Sequence, residues 1–193
     1  MDYPATISRL FDERASEAAL SGDIQDMDLI APGLYLGSQR SAGVLFPFEE
    51  RDVAAASILR KSMLSALGAK GIRNIVCCSA TDARIFSADG IAYECALLSD
   101  GSVDDILAST PAFSDLLDRA IALVAAARSR GEATLVHCAS GAHRSASLLC
   151  GILMHEQRKA LADILPLLLR QRPYVRPTFW RYLVEELEPR VLS

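Results

Sequence analysis

Ala133-Thr134-Leu135-Val136 runs directly into His137-Cys138-Ala139-Ser140-Gly141-Ala142-His143-Arg144-Ser145, and from there into Ala146, Leu149, Cys150 and Leu153. The first four residues are apolar or β-branched and read as a short buried strand. The apolar residues beyond Ser145 recur at helical spacing. A strand, a tight loop and a helix N-terminus in succession make an anion site, because the loop amides of residues 139 to 144 curl around one point and the helix dipole adds to the field. Gly141 permits a backbone turn that a side chain would obstruct. Arg144 adds a planar fork that matches two phosphate oxygens. The loop is therefore a candidate phosphate cradle formed by Ala139, Ser140, Gly141, Ala142, His143 and Arg144.

The same field acts on Cys138. Amide donors, a helix N-terminus and Arg144 lower a thiol from about 8.5 into a range of roughly 3.5 to 7.5, and the resulting thiolate can attack phosphorus. His137 stands beside it as a supporting residue. Ser145 follows the arginine, and its hydroxyl can stabilise the thiolate as a leaving group. His143 lies at the rim, where it adds positive charge below neutral pH or is simply an exposed loop residue.

Working outward, Ile72 to Cys78 reads as a second buried strand and Ile91 to Leu98 as a third. A long helix follows. Thr110 can cap it, Pro111 suits its first turn and Gly131 lies past its end. Phe113, Leu116, Leu117, Ala120, Ile121 and Val124 form its apolar face. Upstream, a turn at Ile30-Ala31-Pro32-Gly33 leads into a short strand, and residues 43 to 65 contain a turn-like Phe46-Pro47-Phe48 followed by helix. Downstream, two helical segments are split by Arg172-Pro173, with Pro166 expected to kink the first. Residues 1 to 27 read as an extension, helical or disordered, and residues 28 to 193 as the domain. Alternating strands and helices predict an α/β fold with a mainly parallel sheet of four to five strands flanked by helices.

Composition limits the alternatives. Of 193 residues 51% are hydrophobic but only 6% aromatic, which suits helices laid on a small sheet more than a β-sandwich. A net charge of −4 and a pI near 5.4 give no general attraction to nucleic acid or anionic membranes. The basic run Arg170, Arg172, Arg176 and Arg181 reads mostly as a solvated face. Five cysteines without framework spacing point to reduced thiols in a cytoplasmic or nuclear setting. No C-x-x-C pair suggests zinc, no metal or other cofactor is expected, and the apolar runs are too short to span a bilayer. A monomer is expected.

The pattern His-Cys-x-x-Gly-x-x-Arg-Ser resembles the active-site signature of the protein tyrosine phosphatase superfamily. Ile30 to Gly37, Gly71 to Val76, and Arg172 to Pro177 with Phe179 and Leu183 resemble the opening, the next strand and the closing segment of its dual-specificity branch. The resemblance covers roughly residues 28 to 188. It implies a phosphatase fold and a phosphocysteine intermediate on Cys138. It also implies an Asp that protonates the leaving oxygen from a loop after the strand preceding the long helix. Asp100 fits that place, with Asp104 and Asp105 as competitors, although Ser102-Val103-Asp104-Asp105 also reads as a capped helix start. Thr178 stands where relatives often carry Asn and can cap the last helix. Some relatives protect the nucleophile by a disulfide from the neighbouring strand, which here makes Cys78, ahead of Cys77, a candidate redox partner. The substrate implied is a phosphoprotein carrying phosphotyrosine and also phosphoserine or phosphothreonine. A phosphoinositide or other non-protein phosphatase is the alternative, disfavoured because Ala139, Ser140, Ala142 and His143 supply no lysine. A non-catalytic phosphate-binding module is the third reading.

Overall fold

A computed structural model of the chain describes residues 26–45, 50–80 and 84–193. The expected turn at Phe46-Pro47-Phe48 and the helical or disordered extension before residue 26 lie outside the described residues. Five strands form one sheet in the order β1-β2-β5-β3-β4. They are β1 (Met27–Ala31), β2 (Leu34–Ser38), β3 (Ile72–Cys77), β4 (Ala92–Cys95) and β5 (Ala133–Cys138). β1 pairs antiparallel with β2, and every other pairing is parallel. The mainly parallel α/β sheet thus has the predicted form, with β5 at its centre and buried along its whole length.

Period-two alternation divides the core between the two faces of the sheet. Ile75 and Leu135 point to one side, where α1 (Val53–Ala69) delivers Met63 and Leu67. Asp52 caps that helix by accepting from the amides of Ala54 and Ala55. Val76, Val136 and Cys138 point to the other side, toward α3 (Thr110–Ser129), α4 (Arg144–Gln157) and α5 (Leu161–Gln171). Phe113, Leu116, Leu117, Ala120 and Val124 of α3 are buried there as the spacing predicts. Every residue of α4 from Ser145 to Met154 is buried, so this helix runs through the interior and not along the surface. Gly151 permits that, since a Cβ there would lie 2.9 Å from Leu117 Cδ1.

Several local expectations are corrected. β4 ends at Cys95 instead of Leu98, but the chain stays tied to β3: the Ala96 amide donates to Cys77 O (2.9 Å) and the Leu98 amide to Cys78 O (3.2 Å). Thr110 is the first residue of α3 and not its cap; its hydroxyl donates to Ile106 O. The preceding Ser109 accepts at its Oγ from the amide of Ser99 (3.0 Å), next to Asp100. Thr178 caps nothing: the final helical stretch starts at α6 (Trp180–Tyr182), continues as a π turn (Leu183–Leu187) and ends as α7 (Glu188–Leu192). The amide of Phe179 bonds instead to Ser147 Oγ at 3.0 Å. Pro166 lies inside α5, where the sequence places it. Met27 opens β1 and lies in the core, and Asp26 pairs with a buried arginine. Phe179 stacks on Phe113 with centroids 4.3 Å apart, and Tyr182 meets the same ring edge-on at 5.4 Å. These rings fix the C-terminal segment against α3.

Candidate active site

β5 delivers Cys138 to the C-terminal edge of the sheet, and α4 begins at Arg144. What shapes the loop between them is the fate of its carbonyls. Ala139 O accepts from the Gln39 amide (3.2 Å) and Ala142 O from the Arg176 amide (2.8 Å). Arg172 Nη2 donates to Ser140 O and its Nε to Gly141 O, both at 3.1 Å. His143 O accepts from the amide of Ser147 (2.9 Å) and from its hydroxyl (3.0 Å). Five consecutive carbonyls are therefore held by donors outside the loop. Peptide planes are rigid, so pinning the carbonyls outward turns the intervening N–H groups inward.

Gly141 has φ +71°, and a Cβ there would fall 2.6 Å from Gly37 O and 2.8 Å from Arg172 Nη2. Its requirement for glycine is therefore steric as well as conformational. Cys138 lies at the base, fully buried, with Ser145 Oγ donating to its Sγ at 3.1 Å. Burial alone raises this thiol; the Ser145 hydroxyl and amide, the Arg144 charge and the Gly141 amide outweigh it, and its pKa lies below the ordinary value. Those lowering causes are the amide and arginine field expected from the motif.

Arg144 crosses the mouth of the cradle. Its Nη1 donates to Leu98 O (3.2 Å), and its Nη2 lies 3.4 Å from Asp100 Oδ2. Its Nε is buried and has no hydrogen-bond partner among the described residues, which leaves a donor for an incoming oxyanion. Asp100 also meets His143 Nδ1 at 3.2 Å, so the sequence-distant carboxylate and the loop share one rim. The competitors lie beyond the loop, in the next helix. Asp105 closes a capping box with Ser102 at the start of α2 (Val103–Ala108), and the Ser102 hydroxyl and amide hold its carboxyl below the usual range. Asp104 sits exposed in the same first turn. His137 is buried, its Nδ1 3.3 Å from Cys138 O. Cys78 stands on the Cys138 face of the sheet, its thiol pushed up by burial and by the Cys138 charge.

One residue escaped the sequence reading. Arg172, assigned there to a solvated basic run, is 1% exposed. It pairs with Asp26 Oδ1 (2.6 Å) and Asp28 Oδ2 (2.7 Å) while holding two loop carbonyls. The signal available was Arg172-Pro173 at a helix break, with two acids preceding β2; nothing local joins them. Among the described residues no group of three or more His, Cys, Asp or Glu is placed to hold a metal ion.

Known proteins share this fold. Human dual specificity protein phosphatase 14 is 42% identical over 55 residues, 28% of this chain and 28% of that protein, so the match spans about a quarter of the relative's length. The crystal structure of human DUSP28 superposes with a TM-score of 0.61 at 26% identity, covering 87% of this chain and 96% of the other. The structure of PTPMT1 in complex with PI(5)P shares the fold at a TM-score of 0.60 and 11% identity, covering 86% and 97%. The family model described as the dual specificity phosphatase catalytic domain matches residues 59–188, and with two thirds of its length inside that match the chain belongs to this family.

Proposed function

We propose that the chain is a protein phosphatase that hydrolyses phosphotyrosine, and phosphoserine or phosphothreonine, through a phosphocysteine on Cys138. The observation that carries this reading is the ring of outward-pinned carbonyls around a thiol whose pKa is lowered. The inward amides of residues 139 to 144 and the free Nε of Arg144 hold the three non-bridging oxygens. Cys138 Sγ attacks phosphorus in line with the ester oxygen, the P–O bond breaks, and Asp100 gives its proton to that oxygen. Water then attacks the phosphocysteine and Asp100 takes its proton. Cys138 departs as a thiolate that Ser145 Oγ stabilises. In both steps the charge develops against dipoles already oriented by the fold. His137 supports the loop from below. Cys78, on the same face as Cys138, is the candidate partner for a protective disulfide once Cys138 is oxidised.

The substrate class follows from the rim. His143 and Asp100 border the cradle, and residues 139 to 144 carry no lysine, so the loop lacks the extra cations that a polyphosphorylated headgroup would need. Phosphate release from tyrosine-, serine- and threonine-phosphorylated peptides, run beside phosphoinositides, tests this. Release from the peptides, lost in Cys138→Ser and slowed about 10²- to 10⁴-fold in Asp100→Asn, is the expected outcome. Release from the lipids alone would replace the substrate assignment.

A further inference from the structure

Directly behind the cradle, on the other face of the sheet, lies a second thiol site. β5, β3 and β4 are parallel neighbours, and their registers set Cys77 opposite His137 on one side and opposite Cys95 on the other. Side chains at one register level of parallel strands share a face. Imidazole, thiol and thiol therefore form a line across three strands. That line lies with Ile75, Leu135 and Tyr93 on the α1 side, whereas Cys78 and Cys138 belong to the opposite face. Neighbouring strands run about 4.8 Å apart, inside the Cα separation of about 4.4–6.8 Å that a disulfide spans. Cys77 is fully buried, but Cys95 beside it is partly open to solvent.

We propose that Cys77 and Cys95 form a reactive dithiol, separate from the nucleophile, that takes hydrogen peroxide and closes into a disulfide. Cys77 is the attacking sulfur. The neighbouring Cys95 thiol and His137 lower Cys77 against burial, Cys95 itself is pushed up by the same neighbour and by burial, and Ser79 Oγ lies 3.8 Å from Cys77 Sγ. His137 stands opposite Cys77 in the register: its Nδ1 is used on Cys138 O, and its buried Nε2 has no hydrogen-bond partner among the described residues. In the first step the Cys77 thiolate attacks one peroxide oxygen, the O–O bond breaks, and the departing hydroxide takes the Cys95 proton to leave as water. Cys95, now a thiolate, attacks the Cys77 sulfenic acid. The S–O bond breaks, and the second hydroxide takes up the proton that Cys77 had originally released. Two thiols are oxidised, one peroxide is reduced, and two waters leave. This chemistry is independent of whether Cys138 turns over a phosphoester.

Mapping of the full chain after graded peroxide, acid quench and alkylation decides the matter. Trypsin releases Cys77 and Cys78 in residues 74–84, Cys95 in 85–119 and Cys138 in 131–144. The expected result is a 74–84 fragment linked to 85–119, a fall from five free thiols to three, and Cys138 still alkylated. The link persists in Cys78→Ser and disappears in Cys95→Ser. Loss of the link in Cys78→Ser, links confined to 74–84 with 131–144, or no link at peroxide levels that oxidise Cys138 would each overturn the proposal.

Discussion

Arg172 does at one point what two residues would ordinarily share. Its guanidinium has five N–H donors in a fixed plane, and here they reach two carboxylates and two loop carbonyls at once. A lysine has no such plane. Replacing Arg172 with Met leaves Asp26 without its cationic partner, held only by the Tyr174 hydroxyl at 3.5 Å, in a site where its side chain is 10% exposed. Urea unfolding of that variant is expected to show a loss of about 3–5 kcal/mol, with Arg172→Lys recovering only part. Ser145 gives a second test at this scale. The depressed pKa of Cys138 means that its thiolate persists to lower pH than that of an ordinary thiol. Removing the hydroxyl in Ser145→Ala raises the folded pKa, so the acidic limb of Cys138 alkylation by iodoacetamide shifts to higher pH. An unchanged profile would mean that the 3.1 Å contact contributes nothing to the thiolate.

At the scale of elements, the loop of residues 139 to 143 is held from four sides: β2's exit, α4's first turn, and both halves of the segment after α5. Gly141→Ala should therefore displace the backbone, because its Cβ has no room beside Gly37 O. A shift of about 1 Å at the cradle predicts a fall in kcat/KM of about 10²-fold, measured on a small aryl phosphate, with the β5 and α4 core intact by circular dichroism. The Phe113–Phe179 stack ties the same C-terminal segment down, and Phe179→Ala is expected to cost about 3–5 kcal/mol in the same urea titration. Elements were legible where their signal is local. β5, the loop and α4 follow from consecutive residues, and Ser102 with Asp105 reads directly as a capping box. Arg172 was not legible, because its carboxylate partners lie 144 and 146 positions away. β1 was missed for a related reason: as an edge strand it carries one buried residue, Met27, and polar Asp28, too little alternation to announce itself. The two cap assignments failed because the Thr110 hydroxyl turns back to Ile106 O in the preceding turn, and Thr178 Oγ1 is buried with no hydrogen-bond partner among the described residues.

At the scale of the whole molecule, the sheet works as a partition. One face presents Cys138 to the cradle and to the helices that position it; the other carries Cys77, Cys95 and His137 toward α1. The parallel order β2-β5-β3-β4 places the loops after β5 and β4 at one edge, which is how Asp100 meets Arg144 from 44 positions away in sequence. The mainly parallel fold and the strand–loop–helix order around Cys138 were readable from pattern, while the meeting of Asp100 with Arg144 and His143 needed the sheet order. The central claim is that Cys138 accepts the phosphoryl group inside that cradle. The direct measurement is acid-quenched mass spectrometry of the protein, wild type and Asp100→Asn, mixed with an aryl phosphate bearing a good leaving group. The account predicts one phosphoryl group on Cys138 in residues 131–144, accumulating in Asp100→Asn because the water-activating base is gone, and absent in Cys138→Ser. Turnover that continues in Cys138→Ser, or a phosphoryl group on any other residue, would contradict it.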